Sequence, residues 1–169
     1  VLFRSLAKKC IDRAQKENVP AYSIGKLIHN PDIVREFEER GLKVLDTPEG
    51  QVPGVALIRA HGISDIRRRL FEEAGFSLED STCLNIRTSQ DRIRLAAGEG
   101  RQIVILGVRG HAETSCLLGT EVDAHKHLIS CLEDVDRVLE KVPASRPVSV
   151  VTQTTFPKDL FEQIVARLR

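Results

Sequence analysis

The amino-acid sequence predicts an α/β protein: repeated small α/β domains with parallel sheets and a site at the carboxyl ends of the strands. Three observations carry that expectation. Short apolar runs alternate with amphipathic helical stretches along most of the chain, the pattern of βαβ units and parallel pairing. Gln102 to Leu106 (QIVIL) is a continuous apolar run of the kind needed by a strand covered on both faces. The same plan restarts after the loop Gly98-Glu99-Gly100, dividing the chain into two similar segments.

The elements follow in order. Lys8 to Asn18 reads as a polar helix carrying Cys10, and Pro20 to Ile28 (PAYSIGKLI) as a strand ended by His29-Asn30-Pro31. Asp32 to Arg40 is a helix whose Ile33, Val34 and Phe37 share one face, with Gly41 as its stop. The short strand Leu42 to Leu45 enters a Pro/Gly loop from Thr47 to Gly54. Val55 to Arg59 is a strand, Ser64 to Ala74 a helix and Gly75 to Leu78 a strand. Ile86 to Ala97 is a helix stopped by Gly98 and Gly100. In the second segment QIVIL empties into Gly107-Val108-Arg109-Gly110-His111, and a short helix runs from Ala112 to about Leu118. A weaker strand near His127 to Ile129, a helix from Glu133 to Val142 and a loop from Pro143 to Pro147 come next. The strand Val148 to Val151 ends in Thr152-Gln153-Thr154-Thr155, and Pro157 suits the first turn of the last helix. This places a first α/β domain at 1–97 and a second at 98–169, with the helix at 86–97 able to join either.

Bulk properties narrow the function classes. Hydrophobic content of 41% and charged content of 29% are ordinary for a soluble globular protein. A net charge of +1 gives no electrostatic case for nucleic acid or an anionic membrane. The 4% aromatic content argues against a base-stacking platform. No apolar run approaches the ~20 residues that span a bilayer, and no secretory signal opens the chain, so a cytoplasmic location is expected. Cys10, Cys83, Cys116 and Cys131 show no CxxC or paired spacing, which favours neither a disulfide framework nor a zinc ribbon. The chain has no methionine, opens on Val1 and closes at Arg169 on a helical pattern, so it reads as a fragment cut at both ends.

Chemistry gathers just past the strands: His29-Asn30, His61-Gly62, Cys83, Gly110-His111-Ala112-Glu113 and Gln153-Thr154, each followed by a helix. Ligands of open parallel sheets collect at that edge. Helix N-termini offer N–H groups and about half a positive charge, which suits a phosphate or diphosphate. Small neighbours (Gly62, Gly110, Ala112) admit a ligand close to the backbone. Together these describe an anion site with one thiolate beside it.

Each residue also has a plainer reading. A single histidine after a strand is commonly a helix cap, Asn30-Pro31 and Asp80-Ser81 are ordinary turn chemistry, and Glu113 in a first helical turn complements the dipole. Cys83 alone reads more readily as a buried apolar group than as a reactive thiol. Random capping would favour Ser, Asp and Gly at these points and would not select three histidines. His125 and His127 read as solvent-facing residues of a polar edge strand, Cys116 as core, Cys131 as core or cap at a helix start. Arg67-Arg68-Arg69 reads as a solvated helix face able to steer an anionic substrate or an acidic electron donor.

The residues in register resemble the LytB/IspH family of 4-hydroxy-3-methylbut-2-enyl diphosphate reductases. The matching pieces are Ile28-His29-Asn30, Ala60-His61-Gly62-Ile63-Ser64, Ser81-Thr82-Cys83, Gly110-His111-Ala112-Glu113 with Gly119-Thr120, and Thr152-Gln153-Thr154-Thr155. The resemblance implies three similar α/β domains around a cavity, each giving one cysteine to a 4Fe-4S iron–sulfur cluster. It makes Cys83 the second cluster ligand, His29, His61 and His111 the diphosphate-binding histidines, Glu113 the proton donor and Thr154 its hydroxyl partner near the substrate. The implied reaction is the two-electron reductive dehydration of an allylic diphosphate alcohol to isopentenyl and dimethylallyl diphosphate, with ferredoxin or flavodoxin as electron donor. It belongs to the methylerythritol phosphate route to isoprenoids.

The chain departs from the family pattern at several points. Back-alignment from His29 puts the first cluster cysteine before Val1, Val1 to Ala7 do not reproduce the residues that should follow it, and Cys10 is out of register. Leu84-Asn85 stands where proline is usual, and Ser115-Cys116 follows Glu113 where many relatives differ. The first domain is then N-terminally truncated, the second C-terminally incomplete and the third absent, so this stretch alone would turn nothing over. Two other readings stay open: a cluster-less relative that binds diphosphate or another anion without catalysis, and a zinc hydrolase built on His29, His61 and His111.

Overall fold

The computed structural model describes residues 2–25 and 31–168. The chain forms two compact units, Val1–Cys83 and Leu84–Arg169. The first contains α1 (Leu2–Glu17), β1 (Ala21–Ile24), α2 (Pro31–Glu39), β2 (Leu42–Leu45), β3 (Val55–Ile58), α3 (Asp65–Glu73) and β4 (Ser77–Asp80). The second contains α4 (Leu84–Gly98), β5 (Gln102–Leu106), α5 (Ala112–Leu118), β6 (Lys126–Ile129), α6 (Glu133–Leu139), β7 (Val148–Thr152) and α7 (Lys158–Leu168).

Every strand pair is parallel, as the alternation of strands and helices requires. The first sheet runs β2-β1-β3-β4 and the second β6-β5-β7. Central strands explain the uninterrupted apolar runs, because both of their faces are covered. In β3, Val55 and Leu57 join the core under α1 and α2 with Ala7, Cys10, Ile11, Ala14 and Phe37. Ala56 and Ile58 face the other way, into a cluster with Ile63, Phe71 and Phe76. In β5, Ile103 and Ile105 pack with Ile86, Ile93 and Ala96 of α4 and with Leu117 of α5. Val104 and Leu106 pack with Val135 and Val138 of α6 and Ile164 of α7. Each unit is thus a sheet between two helical layers.

Several boundaries differ from the sequence reading. The division falls at Cys83/Leu84 rather than at 97/98, because α4 buries its Ile86–Ile93–Ala96 stripe on the second sheet. The first strand stops at Ile24, where Gly25 takes a φ of 77°, a left-handed conformation that does not continue a strand. The rest of the expected strand, to Ile28, and the site residue His29 after it lie outside the described residues. The N-terminal helix starts at Leu2 rather than Lys8 and is not simply polar: Ala7, Cys10, Ile11 and Ala14 form a fully buried stripe of mostly small residues. Helix α6 ends at Leu139, three residues early, and Cys131 precedes it rather than opening it. Pro157 stands one residue before α7, accepting the N–H of Phe161 at 3.0 Å.

Candidate active site

The register aligns the strand ends. Ile24, Leu45, Ile58 and Asp80 finish the first sheet level with one another, and Leu106, Ile129 and Thr152 finish the second. In each sheet the chain builds outward on one side and then returns to the other side of the starting strand. The switch points therefore lie between β1 and β3 and between β5 and β7. Ligand crevices of open α/β sheets form at such points.

In the second unit the loop after β5 passes Gly110, whose φ of 80° suits only a residue without a side chain. It delivers His111 as the N-cap of α5, with Nδ1 accepting the Glu113 N–H at 3.2 Å. With Nδ1 used as an acceptor, the neutral ring carries its proton on Nε2. The cap reading and the ligand reading of His111 are thus compatible, since the cap orients the ring. Glu113, 2% exposed, is more than a dipole complement. Its Oε1 accepts the Thr154 N–H at 2.7 Å and its Oε2 the Thr154 hydroxyl at 2.8 Å. Thr154 itself is exposed. A buried carboxyl on α5 and an exposed hydroxyl after β7 therefore meet across the switch point.

In the first unit Cys83 follows β4 and directly precedes α4. Its thiol is exposed, not buried, and its N–H donates to the Ala60 carbonyl at 2.9 Å, tying it to the loop that carries His61. Asp80 closes the turn before it by accepting the Thr82 N–H at 2.9 Å together with the Thr82 hydroxyl and the Arg68 guanidinium. Burial pushes the Asp80 carboxyl up, but the Thr82 and Arg68 hydrogen bonds outweigh it and hold the carboxyl below the usual range. His61 is half-buried, and Gly62 beside it has a φ of 70°. Ser64, not His61, caps α3, accepting the Arg67 N–H at 3.2 Å. Arg59, passed over in the sequence, is half-buried at the same strand end, its guanidinium lying beside Gly25. Burial and the charge of Arg67 lower its pKa, and the charge of Asp46 offsets them only in part.

A family model described as LytB protein matches residues 5–169. The chain belongs to the LytB family. It is 32% identical over 142 residues to the 4-hydroxy-3-methylbut-2-enyl diphosphate reductase of Shouchella clausii, covering 80% of this chain and 44% of that protein. It is 30% identical over 160 residues to the enzyme of the same name from Solidesulfovibrio magneticus, covering 92% of this chain and 55% of that one. A solved (E)-4-hydroxy-3-methyl-but-2-enyl diphosphate reductase, described as the terminal enzyme of the non-mevalonate pathway, superposes with a TM-score of 0.82 at 25% identity, covering 97% of this chain and 58% of the other. The corresponding structure from Plasmodium falciparum gives 0.80 at 25% identity, with 97% and 51% covered. The chain spans about half the length of the curated relatives it matches.

Cys83 presents an exposed thiol on a backbone pinned beside a strand end, the donor chemistry that an iron–sulfur ligand requires. Among the described residues no three His, Cys, Asp or Glu side chains converge on a metal position. The plainer readings divide. Cys116 is core, and His125 is exposed. His127 does not face solvent: it is half-buried with Nε2 3.3 Å from Gln102 Oε1, and burial, His125 and Lys141 lower its pKa. The arginine run is not merely solvated, since Arg67 donates to the Asp46 carbonyl at 2.6 Å and Arg68 pairs with Asp80. No described helix is long and apolar enough to cross a membrane.

Proposed function

We propose that the protein to which this chain belongs reduces (E)-4-hydroxy-3-methylbut-2-enyl diphosphate to isopentenyl and dimethylallyl diphosphate in the methylerythritol phosphate pathway. The observation that carries this reading is the pairing of buried Glu113 with both the N–H and the hydroxyl of Thr154 beside His111. The allylic C–O bond breaks, two electrons and two protons are consumed, and water leaves. Glu113 relays a proton to Thr154 Oγ1, whose own hydroxyl proton moves to the departing oxygen, and Glu113 returns to the carboxylate that accepts both Thr154 hydrogen bonds. His111 Nε2–H, together with His61 and His29, binds the diphosphate oxygens as directional donors. Cys83 would hold one iron of a 4Fe-4S cluster, which when bound would pass on the donor's electrons and offer a Lewis-acid iron. The remaining ligands belong to a part of the protein outside this stretch, in keeping with relatives about twice as long. Ferredoxin or flavodoxin supplies the electrons, in the cytoplasm.

The test is an anaerobic assay of the full-length gene product with this diphosphate and a reduced donor, beside Glu113→Gln. We expect turnover in the wild type and a loss of at least about 100-fold in Glu113→Gln, with substrate affinity kept. Diphosphate binding without iron, sulfide or turnover in the wild type would refute the reading and restore that of a cluster-less anion-binding relative.

A further inference from the structure

The Glu113–Thr154 contact has a neighbour that the proposed chemistry does not use. Helix α5 contributes two consecutive residues, Glu113 and Thr114, and the segment after β7 contributes two more, Gln153 and Thr154. They form two adjacent rungs: Glu113 with Thr154, and Thr114 Oγ1 donating to Gln153 Oε1 at 2.9 Å. The first rung reaches the surface through Thr154. The second is sealed, with Thr114 0% and Gln153 3% exposed. We propose that Thr114 and Gln153 are a positioning pair that sets the distance between Glu113 and Thr154; the inference rests on the functional reading above.

Three features give the sealed rung that capacity. Gln153 Oε1 accepts a second hydrogen bond, from the Val108 N–H at 2.9 Å, so one carbonyl oxygen joins the loop bearing His111, the start of α5 and the segment after β7. Its Nε2 donates to Thr155 Oγ1 at 2.7 Å. The reversed amide would face its NH₂ with the Val108 N–H, so the network admits a single orientation. Finally, Gly107 closes over the rung so tightly that a Cβ there would collide with Thr114 Oγ1 and come within 3.3 Å of Gln153 Oε1. Neither Thr114 nor Gln153 can exchange its partner for bulk water. A change in the sealed rung must therefore move Thr154, its covalent neighbour, relative to Glu113. Misplacement by about 1 Å costs a catalytic contact on the order of 100-fold.

The experiment compares Thr114→Val, which removes the hydroxyl at nearly constant shape, with Thr114→Ser, which keeps it. In the full-length gene product, amide hydrogen exchange reads the Thr154 and Val108 N–H groups. We expect their protection to fall about tenfold in the valine variant and return in the serine variant, roughly the loss of one buried hydrogen bond. In the full-length gene product we expect kcat to fall about 10–100-fold in the valine variant with KM within about twofold, and the serine variant to recover it. Should Thr114→Val fail to fold, Gln153→Asn, whose shorter arm cannot span the same gap, is read identically. Unchanged protection and kcat in the folded variant, or failure of serine to rescue, overturns the proposal. If the full-length wild type shows no reductase activity, the functional reading falls while the exchange data still decide the positioning pair.

Discussion

Replacing Thr154 by valine removes one hydroxyl donor from a carboxyl that is 2% exposed. The backbone N–H survives, so Glu113 Oε1 keeps its 2.7 Å contact while Oε2 loses its 2.8 Å one. A hydrogen bond to a carboxylate contributes about 1.5–3 kcal/mol, and because this one is only part-buried the lower end, about 1.5 kcal/mol, applies. For a unit of this size each kcal/mol moves the melting temperature by roughly 4–8 °C, so the second unit should melt about 6–12 °C lower. Thr154→Ser keeps the donor and should stay within about 0.5 kcal/mol of the wild type. Far-UV circular dichroism with heating follows both units, while fluorescence of Tyr22, the only tyrosine in a chain without tryptophan, reports the first unit separately. An unchanged melt for Thr154→Val would mean that Glu113 satisfies itself without the hydroxyl. An equal loss in the serine variant would mean that packing, not the donor, is at stake. Either result would refute the reasoning.

The remaining predictions concern the first unit. In native protein, Cys83 should react with a thiol reagent within seconds to minutes, whereas Cys10, 0% exposed, should stay unmodified until the chain unfolds. Burial and the nearby Glu79 charge push the Cys10 thiol up to about 12, so raising the pH from 7 to 9 should not expose it to reagent; peptide mass spectrometry after timed quenching tests both statements. Asp80 titrates lower in the folded chain than in the unfolded one, so its contribution to stability is present above the ordinary carboxylate pKa of about 3.9 and is lost as pH falls through the depressed value. Arg68→Leu should therefore cost about 1 kcal/mol near pH 7, the ion pair being partly screened, and converge on the wild type as the pH falls through that depressed value. A urea-midpoint difference that persists undiminished at pH 2 would contradict this.

Much of the architecture is legible because central parallel strands announce themselves. Ile103 to Leu106 and Val55 to Ile58 are apolar at consecutive positions since helices cover both of their faces. Other features yield only to the folded chain. The run Pro20 to Ile28 carries no apolar break at its centre, so the turn at Gly25 is visible only as a backbone angle. The inner face of α1 is built largely from alanine and cysteine, whose small side chains give a weak periodic signal. Helix α4 is periodic enough to be found, but the sheet it covers is a tertiary choice between neighbours on either side. Within the site, Glu113 and Thr154 stand 41 residues apart and one of their two hydrogen bonds comes from the backbone, so spacing alone cannot pair them. The resemblance singled them out where periodicity had no means to. Thr114 carries no signal in the sequence, and Gln153 stands out only by its place after a strand and within the Thr152–Thr155 match, because neutral buried polar groups look in sequence like ordinary loop polarity.

No spacer separates the two units along the chain, which divides between Cys83 and Leu84. Cys83 is held by its N–H to the strand-end carbonyl of Ala60, and the next residue already begins the helix that lines the second core. In most two-unit chains a spacer can be lengthened, trimmed or nicked without disturbing either side. Here an insertion or a cut at the border would unravel the first turn of α4 or shift the thiol itself. Any rearrangement or fusion made between residues 83 and 84 must therefore respect the cysteine as though it were a weld.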